Sequence, residues 1–246
     1  MKINLVMPMA GRGSRFAKQG IVEPKPLVEI GGRPFFWWAV ESLRRAATID
    51  QMAFVVLEEH QRDFDISRRI FEFYPDSKVI RIPEVTAGSA ETGFIGVAAI
   101  EGDGPVAIND CDHAFLTGPL ETTLERLGSG TSATLMSFRS SNPGFSYAQL
   151  DEDGNVIGTV EKQVVSPFAI AGCYLFQSAE LYREQYKRYL TTCAYNELFI
   201  SGMYNELLKE RKRVDLHVLE AHFPFGTPEE YRDVQQPMLE RLQEWT

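Results

Sequence analysis

Three observations predict an α/β fold with a Rossmann-like, mixed but mainly parallel sheet flanked by helices. Apolar runs rich in β-branched residues alternate with longer segments of helical period through the first half of the chain, as in βαβ units. The first such run leads straight into a glycine-bearing loop. After about residue 133 the pattern changes to short alternating strands, two of them joined through Asp153-Gly154, so the second half reads as more antiparallel.

Residues 3–7, 52–57, 78–82 and 105–109 read as strands, each short, apolar and bounded by turn residues. Between them, residues 34–47 and 59–74 carry helical spacing, and residues 89–100 read as a third helix with Ser89 at its N-cap. Residues 133–138, 146–150 and 156–160 follow as alternating strands. Helices at 178–189 and 196–209, a strand at 213–219 and a terminal helix from Pro228, interrupted near Pro237, complete the reading. No repeat or Pro/Ser-rich linker divides the 246 residues, which predicts a single domain over 1–246 with halves at 1–132 and 133–246.

The chain carries a formal charge of −9, yet residues 1–33 hold six basic side chains against two acidic ones. An acidic protein with one basic segment is a poor match to a nucleic-acid groove, which needs a broad basic face. The longest apolar stretches, such as 35–40 and 94–100, fall far short of a membrane helix, so no membrane partner is expected. The start has no small-residue cleavage site after its apolar run, which predicts a cytoplasmic protein. Cys111, Cys173 and Cys193 are odd in number and widely spaced, and are expected to be buried small side chains.

The most informative stretch is Met9-Ala10-Gly11-Arg12-Gly13-Ser14-Arg15, followed by Pro24-Lys25-Pro26. Glycines let backbone N–H groups approach a phosphate, and Arg15 and Lys25 add positive charge. Two prolines hold Lys25 on a stiff, extended backbone. Together these residues predict a polyphosphate site. A nicotinamide-binding reading fails because Phe16 stands where a third glycine would admit close helix packing.

Asp110 and Asp112 end the strand at 105–109, where open α/β sheets bind ligands, and two carboxylates there suit Mg²⁺ with Asp112 as first choice. His113 reads as a turn residue. Thr86, Gly88 and Ser89 open a helix and could meet a nucleotide, although local capping explains them equally well. Glu161 and Lys162 end another strand and could hold a second, phosphorylated substrate, or form a surface ion pair. Asp151-Glu152-Asp153-Gly154 lacks the closing glutamate of a calcium loop and reads as a turn.

The glycine loop, Pro24-Lys25-Pro26-Leu27, Asp112, Glu161-Lys162, Ala171-Gly172-Cys173-Tyr174 and Gly226-Thr227-Pro228-Glu229-Glu230-Tyr231 together resemble the sugar-nucleotide nucleotidyltransferase family, in its order and over nearly the whole chain. The resemblance implies a nucleotide-diphospho-sugar transferase-like fold with a nucleotide-binding first half and an acceptor-binding second half. It implies transfer of a nucleoside monophosphate from a triphosphate to a sugar 1-phosphate, with release of pyrophosphate, for surface polysaccharide synthesis. By the same resemblance Gly11, Gly13, Arg15 and Lys25 hold the triphosphate, Asp112 the metal, and Glu161, Lys162, Gly172 and Glu197 the acceptor.

Two departures stand out. Pro224 occupies the position where the family usually places a second metal aspartate, a role Asp110 could fill, and Ala148 replaces a glycine that commonly approaches the sugar. The alternatives are a cytidylyltransferase for an acceptor such as phosphocholine, a glycosyltransferase using Asp110 and Asp112 as an Asp-x-Asp pair, and a weakened nucleotide-binding relative. The quartet Phe35-Phe36-Trp37-Trp38 leaves a homo-oligomer possible, with core packing as the plainer reading.

Overall fold

The computed structural model describes residues 2–245. Strand β1 (Lys2–Met9) runs into a loop and the short helix α1 (Ser14–Ala17), then a single 3₁₀ turn at Lys25–Leu27. The small hairpin β2 (Glu29–Ile30) and β3 (Arg33–Pro34) leads to α2 (Phe35–Ala46) and β4 (Thr48–Leu57). Helices α3 (Glu58–Phe64) and α4 (Ile66–Phe73), β5 (Lys78–Ile82), α5 (Ser89–Val97) and β6 (Val106–Asn109) complete the alternating half. Then come β7 (His113–Leu116), α6 (Glu121–Gly128), β8 (Ala133–Arg139), β9 (Tyr147–Leu150), β10 (Val156–Val160) and β11 (Phe168–Phe176). Helices α7 (Ala179–Thr192) and α8 (Ile200–Lys209), strands β12 (Val214–Val218) and β13 (Ala221–Pro224), and α9 (Pro228–Leu242) close the chain.

The central sheet follows the order β10-β9-β11-β6-β1-β4-β5, with β8 beside β11 and β12 beside β8. Strands β6, β1, β4 and β5 are parallel, so their carboxyl ends share one edge of the sheet. Beyond β6 the pairing turns mostly antiparallel, through β11 to β6, β8 and β9 and through β9 to β10, while β12 pairs with β8 in parallel. The mainly parallel sheet with an antiparallel second half is thus present as expected. The strand-end loops that matter chemically, after β1, β5 and β6, all open on the same edge, the position at which such sheets bind ligands.

The aromatic quartet of α2 is buried within the chain itself, with Trp38 donating from Nε1 to the Ile30 carbonyl at 3.0 Å. It packs among Phe54, Phe73, Tyr74 and Phe225, so its apolar surface is accounted for by intramolecular packing. Cys111 and Cys173 are buried, whereas Cys193 is partly exposed, which corrects the expectation for the third thiol.

Several boundaries differ from the sequence reading, each for a local reason. The helix expected over 59–74 breaks at Asp65, which takes a left-handed conformation at φ 49° and whose carboxylate accepts from Gln61 and Arg68. Helix α5 starts at Ser89, with Gly88 rather than Ser89 at the N-cap and the Glu91 carboxylate accepting from the Ala87 amide instead. The helix expected from 196 begins at Ile200, because Leu198 is hydrogen-bonded to the loop before α5. Helix α9 continues through Pro237, held by a Thr227–Glu230 capping box at its start and by buried Met238 and Leu242.

Strand β11 (Phe168–Phe176) has no signal in the sequence reading. It is buried along most of its length on both faces, so it lacks the alternation that marks a half-exposed strand, and Gly172 at φ 74° breaks its register between Ile170 and Tyr174. His113, expected in a turn, instead opens β7 and is buried. The Asp153-Gly154 turn is as expected. Asp151 Oδ1 accepts from the backbone amides of Asp153 and Asn155 at 3.1 and 2.8 Å, so that carboxylate serves the turn.

Candidate active site

A cleft of about 470 Å³ lies along the carboxyl edge of the parallel strands. Its wall on one side is Met9, Ala10, Gly11 and Arg15 from the loop after β1, and Thr86, Gly88 and Ser89 from the loop after β5. Asp110, Cys111 and Asp112 form the floor after β6. Glu161 and Lys162 from the end of β10, and Glu197 from the loop before α8, face them from the second half. Gly172 lines a smaller, adjoining cavity of about 180 Å³ that shares Asp110, Asp112, Ser146 and Tyr174 with the first.

Three residues of the glycine stretch do not line the cleft. Arg12 turns away and pairs with Glu59 at 3.1 Å, an exposed ion pair on the far side of the loop. Ser14 begins α1, and Gly13 supports the loop from behind. Gly13 has φ 60°, and a Cβ there would stand 3.1 Å from the Lys25 Cβ, so it is glycine that lets the two basic segments pack together. Arg15, by contrast, makes no ion pair among the described residues and is exposed at the cleft.

The two halves of the sequence motif meet at one contact. Lys25 Nζ donates to Asp112 Oδ2 at 2.6 Å, joining the proline-flanked loop to the end of β6. Burial works against the lysine's charge, but Asp112, with help from Cys111 and Asp110, raises its pKa above the usual value. Burial likewise works against ionisation of Asp112, yet the adjacent ammonium holds its carboxyl below the usual range. Asp110 moves the other way, since burial and the charge of Asp112 both push it up. A fixed ammonium, a firmly ionised carboxylate and a second carboxyl with suppressed charge therefore sit side by side.

Backbone geometry sets these carboxylates. The Asp110 amide donates to the Gly172 carbonyl at 2.8 Å, and a Cβ on Gly172 would fall 2.8 Å from Asp110 Oδ2. A Cβ on Gly226 would fall 2.5 Å from Asp112 Oδ2, so both carboxylates lie against glycine backbone. Beneath them Asn109 donates to the Ala39 carbonyl at 2.9 Å and meets His113 Nε2 at 3.0 Å, while His113 Nδ1 meets His222 Nε2 at 3.1 Å. Burial lowers the pKa of His113 to about 4 and that of His222 well below its usual value, so both rings are neutral supports.

On the opposite wall Glu161 is held by Ser146, which donates to its Oε1 at 2.6 Å, and by Ser201 on the same oxygen. The Lys162 ammonium stands 5.7 Å from the Phe199 ring centroid. Glu197 makes no side-chain hydrogen bond among the described residues and faces the cleft. The serines were not visible as site residues in the sequence, because 15 and 40 positions separate them from Glu161 and no spacing rule links them. Gly226 opens the motif Gly226-Thr227-Pro228, but its contact with Asp112 has no sequence signal.

The described residues contain no group of three or more His, Cys, Asp and Glu side chains arranged to hold a metal. Mg²⁺ commonly takes only one or two carboxylates and completes its shell with water and substrate phosphate. Asp112 and Asp110 fit that mode. Pro224 pairs with His113 at the β13–β7 edge and lines the smaller cavity, contributing no ligand from the position where a further aspartate would stand.

Residues 6–143 match the MobA-like NTP transferase domain. The chain belongs to that family. Its fold is shared with a nucleoside-diphosphate-sugar pyrophosphorylase from Vibrio cholerae RC9, at 24% identity and TM-score 0.80 over 94% of this chain and 99% of the other. An inositol-1-phosphate CTP transferase from T. maritima superposes with TM-score 0.76 at 14% identity, over 98% of this chain and 97% of that one. A search of curated proteins finds no match. The glycine loop at 9–15 lies wholly within the matched segment.

Proposed function

We propose that this NTP transferase joins a nucleoside monophosphate to a sugar 1-phosphate and releases pyrophosphate, making an activated sugar for surface polysaccharide. The observation that carries the reading is the Lys25–Asp112 contact at the floor of a cleft with a phosphate-type loop on one wall and Glu161, Lys162 and Glu197 on the other. The V. cholerae neighbour is described as a sugar-nucleotide enzyme, in keeping with the proposal.

In this scheme an oxygen of the acceptor phosphate attacks the α-phosphorus of the donor, the bond from that phosphorus to the bridging oxygen of the leaving pyrophosphate breaks, and no protein nucleophile is needed. Two anions must be brought together, so the protein's contribution is positioning and charge neutralisation. The amides around Gly11 cradle the triphosphate, Arg15 neutralises the departing pyrophosphate, and Lys25 bridges phosphate oxygens. Mg²⁺ held by Asp112 and Asp110 would supply further neutralisation at the α-phosphate. Lys162 receives the acceptor phosphate. Glu161, with Oε1 already occupied by two serines, offers Oε2 to acceptor hydroxyls, as does Glu197.

The test is a coupled pyrophosphate-release assay with the four common nucleoside triphosphates, Mg²⁺, a panel of sugar 1-phosphates, and phosphocholine. Release with a sugar 1-phosphate is expected. Release with phosphocholine alone would move the acceptor to the non-sugar class, and triphosphate binding without release under any acceptor would overturn the proposed reaction.

A further inference from the structure

The loops that face the two substrates are sewn together by their backbones. Leu198 donates its amide to the Ala87 carbonyl at 3.0 Å, and the Leu198 carbonyl accepts from the Ala90 amide at 2.9 Å. Residues 86–89 belong to the donor wall, whereas Leu198 lies between Glu197 and Phe199 on the acceptor wall. The approach is close enough to dictate a residue type, since a Cβ on Gly88 would stand 2.5 Å from both the amide nitrogen and the carbonyl oxygen of Leu198. Neither of those atoms belongs to a flexible side chain that could swing aside.

Each end of this seam is itself anchored. On the donor side Thr86 Oγ1 meets Thr92 Oγ1 at 2.6 Å and donates to the Gly88 carbonyl at 2.9 Å, and Glu91 accepts from the Ala87 amide at 2.7 Å. On the acceptor side the Leu198 side chain is buried in the second core cluster, and the Phe199 ring carries the Lys162 ammonium. Residues 87–90 are thus joined by two backbone hydrogen bonds to the segment that carries Glu197 and Phe199.

We propose that the Gly88–Leu198 seam couples the donor and acceptor sites, with Gly88 acting as a positioning residue for Glu197 and Phe199. The idea rests on the assignment of the two walls to donor and acceptor. A donor seated against 86–89 fixes the seam, and the fixed seam holds the acceptor wall in its binding arrangement before any acceptor arrives. Binding of one substrate then strengthens binding of the other through the seam, in addition to any contact between the two.

Amide hydrogen exchange resolves the claim without knowledge of the acceptor. Each of the four common triphosphates is added with Mg²⁺ to the whole chain, and exchange is followed separately in peptides covering 10–27 and 195–200. In the unaltered protein the preferred triphosphate is expected to slow both, the second by about tenfold, within the range usual for coupling between sites. In Gly88→Ala, with the triphosphate raised until protection at 10–27 matches that of the unaltered protein, the donor-dependent protection at 195–200 is expected to be lost. Glu91→Ala, which leaves the contact at Gly88 intact but frees the Ala87 amide, is expected to lose part of it. Retention of full protection at 195–200 in both variants would show that the donor reaches that segment directly and would sink the seam. Absence of protection at 10–27 with every triphosphate would instead overturn the donor assignment itself.

Discussion

The two walls of the cleft are built by opposite means. The donor wall is largely backbone: glycines at 11 and 88 in the loops after β1 and β5, with Arg15 beside them and one lysine locked to one aspartate at the floor. The acceptor wall is side chain: Glu161 braced by two serines, Lys162 over an aromatic ring, and Glu197 free to reach into the cleft. A wall of backbone recognises what all triphosphates share and tolerates little change. A wall of side chains can be respecified residue by residue. Under the proposed assignment, the contrast makes the donor chemistry a property of the fold and the acceptor a property of a few replaceable groups.

The largest expected effect breaks the donor wall. Lys25→Ala should lower kcat by about two orders of magnitude, the scale on which single electrostatic donors act in transition states, measured as pyrophosphate release at saturating substrates. Turnover close to that of the unaltered enzyme would remove Lys25 from the chemistry. Glu161→Ala attacks the other wall. Loss of a charge-assisted hydrogen bond should raise the acceptor KM by roughly tenfold to a hundredfold while the donor KM stays put, and an equal rise in both would erase the proposed division of labour.

Smaller effects sharpen the comparison further. Gly96 on α5 packs against Val6 and Val55 beneath the donor wall, with a Cβ meeting the Val55 methyl at 3.0 Å. Gly96→Ala should cost about 1–3 kcal/mol of stability through overpacking, read as a lower urea midpoint with an unchanged slope. Arg12→Ala should matter least. Its exposed pair with Glu59 lies off the cleft, so the donor KM should change by less than about fivefold. A larger change would mean that Arg12 swings round to the phosphates after all.

The same contrast explains what could be read from the sequence. Most of the donor wall is local in the chain: residues 9–15 and 24–26 form two short stretches whose glycine, proline and basic content state their purpose, Asp112 follows a plain apolar strand, and only 86–89 read equally well as local capping. The acceptor wall is assembled from residues 144–146, 161–162, 172 and 197–201, which only the fold brings together. Of these, Glu161 and Lys162 are suggested by their place at a strand end, where a surface ion pair reads equally well, and Gly172 and Glu197 by family resemblance alone. Ser201 had neither signal. Helix periodicity likewise placed Glu197 inside α8, because nothing in residues 196–199 reveals that Leu198 is held by Ala87 and Ala90, far away in the chain. Arg12 shows the converse limit, since composition marks it as basic but cannot say which way it points.

Strand β11 is bordered by β6 of the first half along Cys173–Phe176, by β8 of the second at both its ends, and by β9 at Ala169. Swinging the halves apart like a clamshell would tear that shared ladder, so traffic of substrates and product must be managed by the rim instead. Crystals grown with and without ligand should accordingly superpose closely through the sheet and part company only in the segments around 10–25, 84–88 and 194–199.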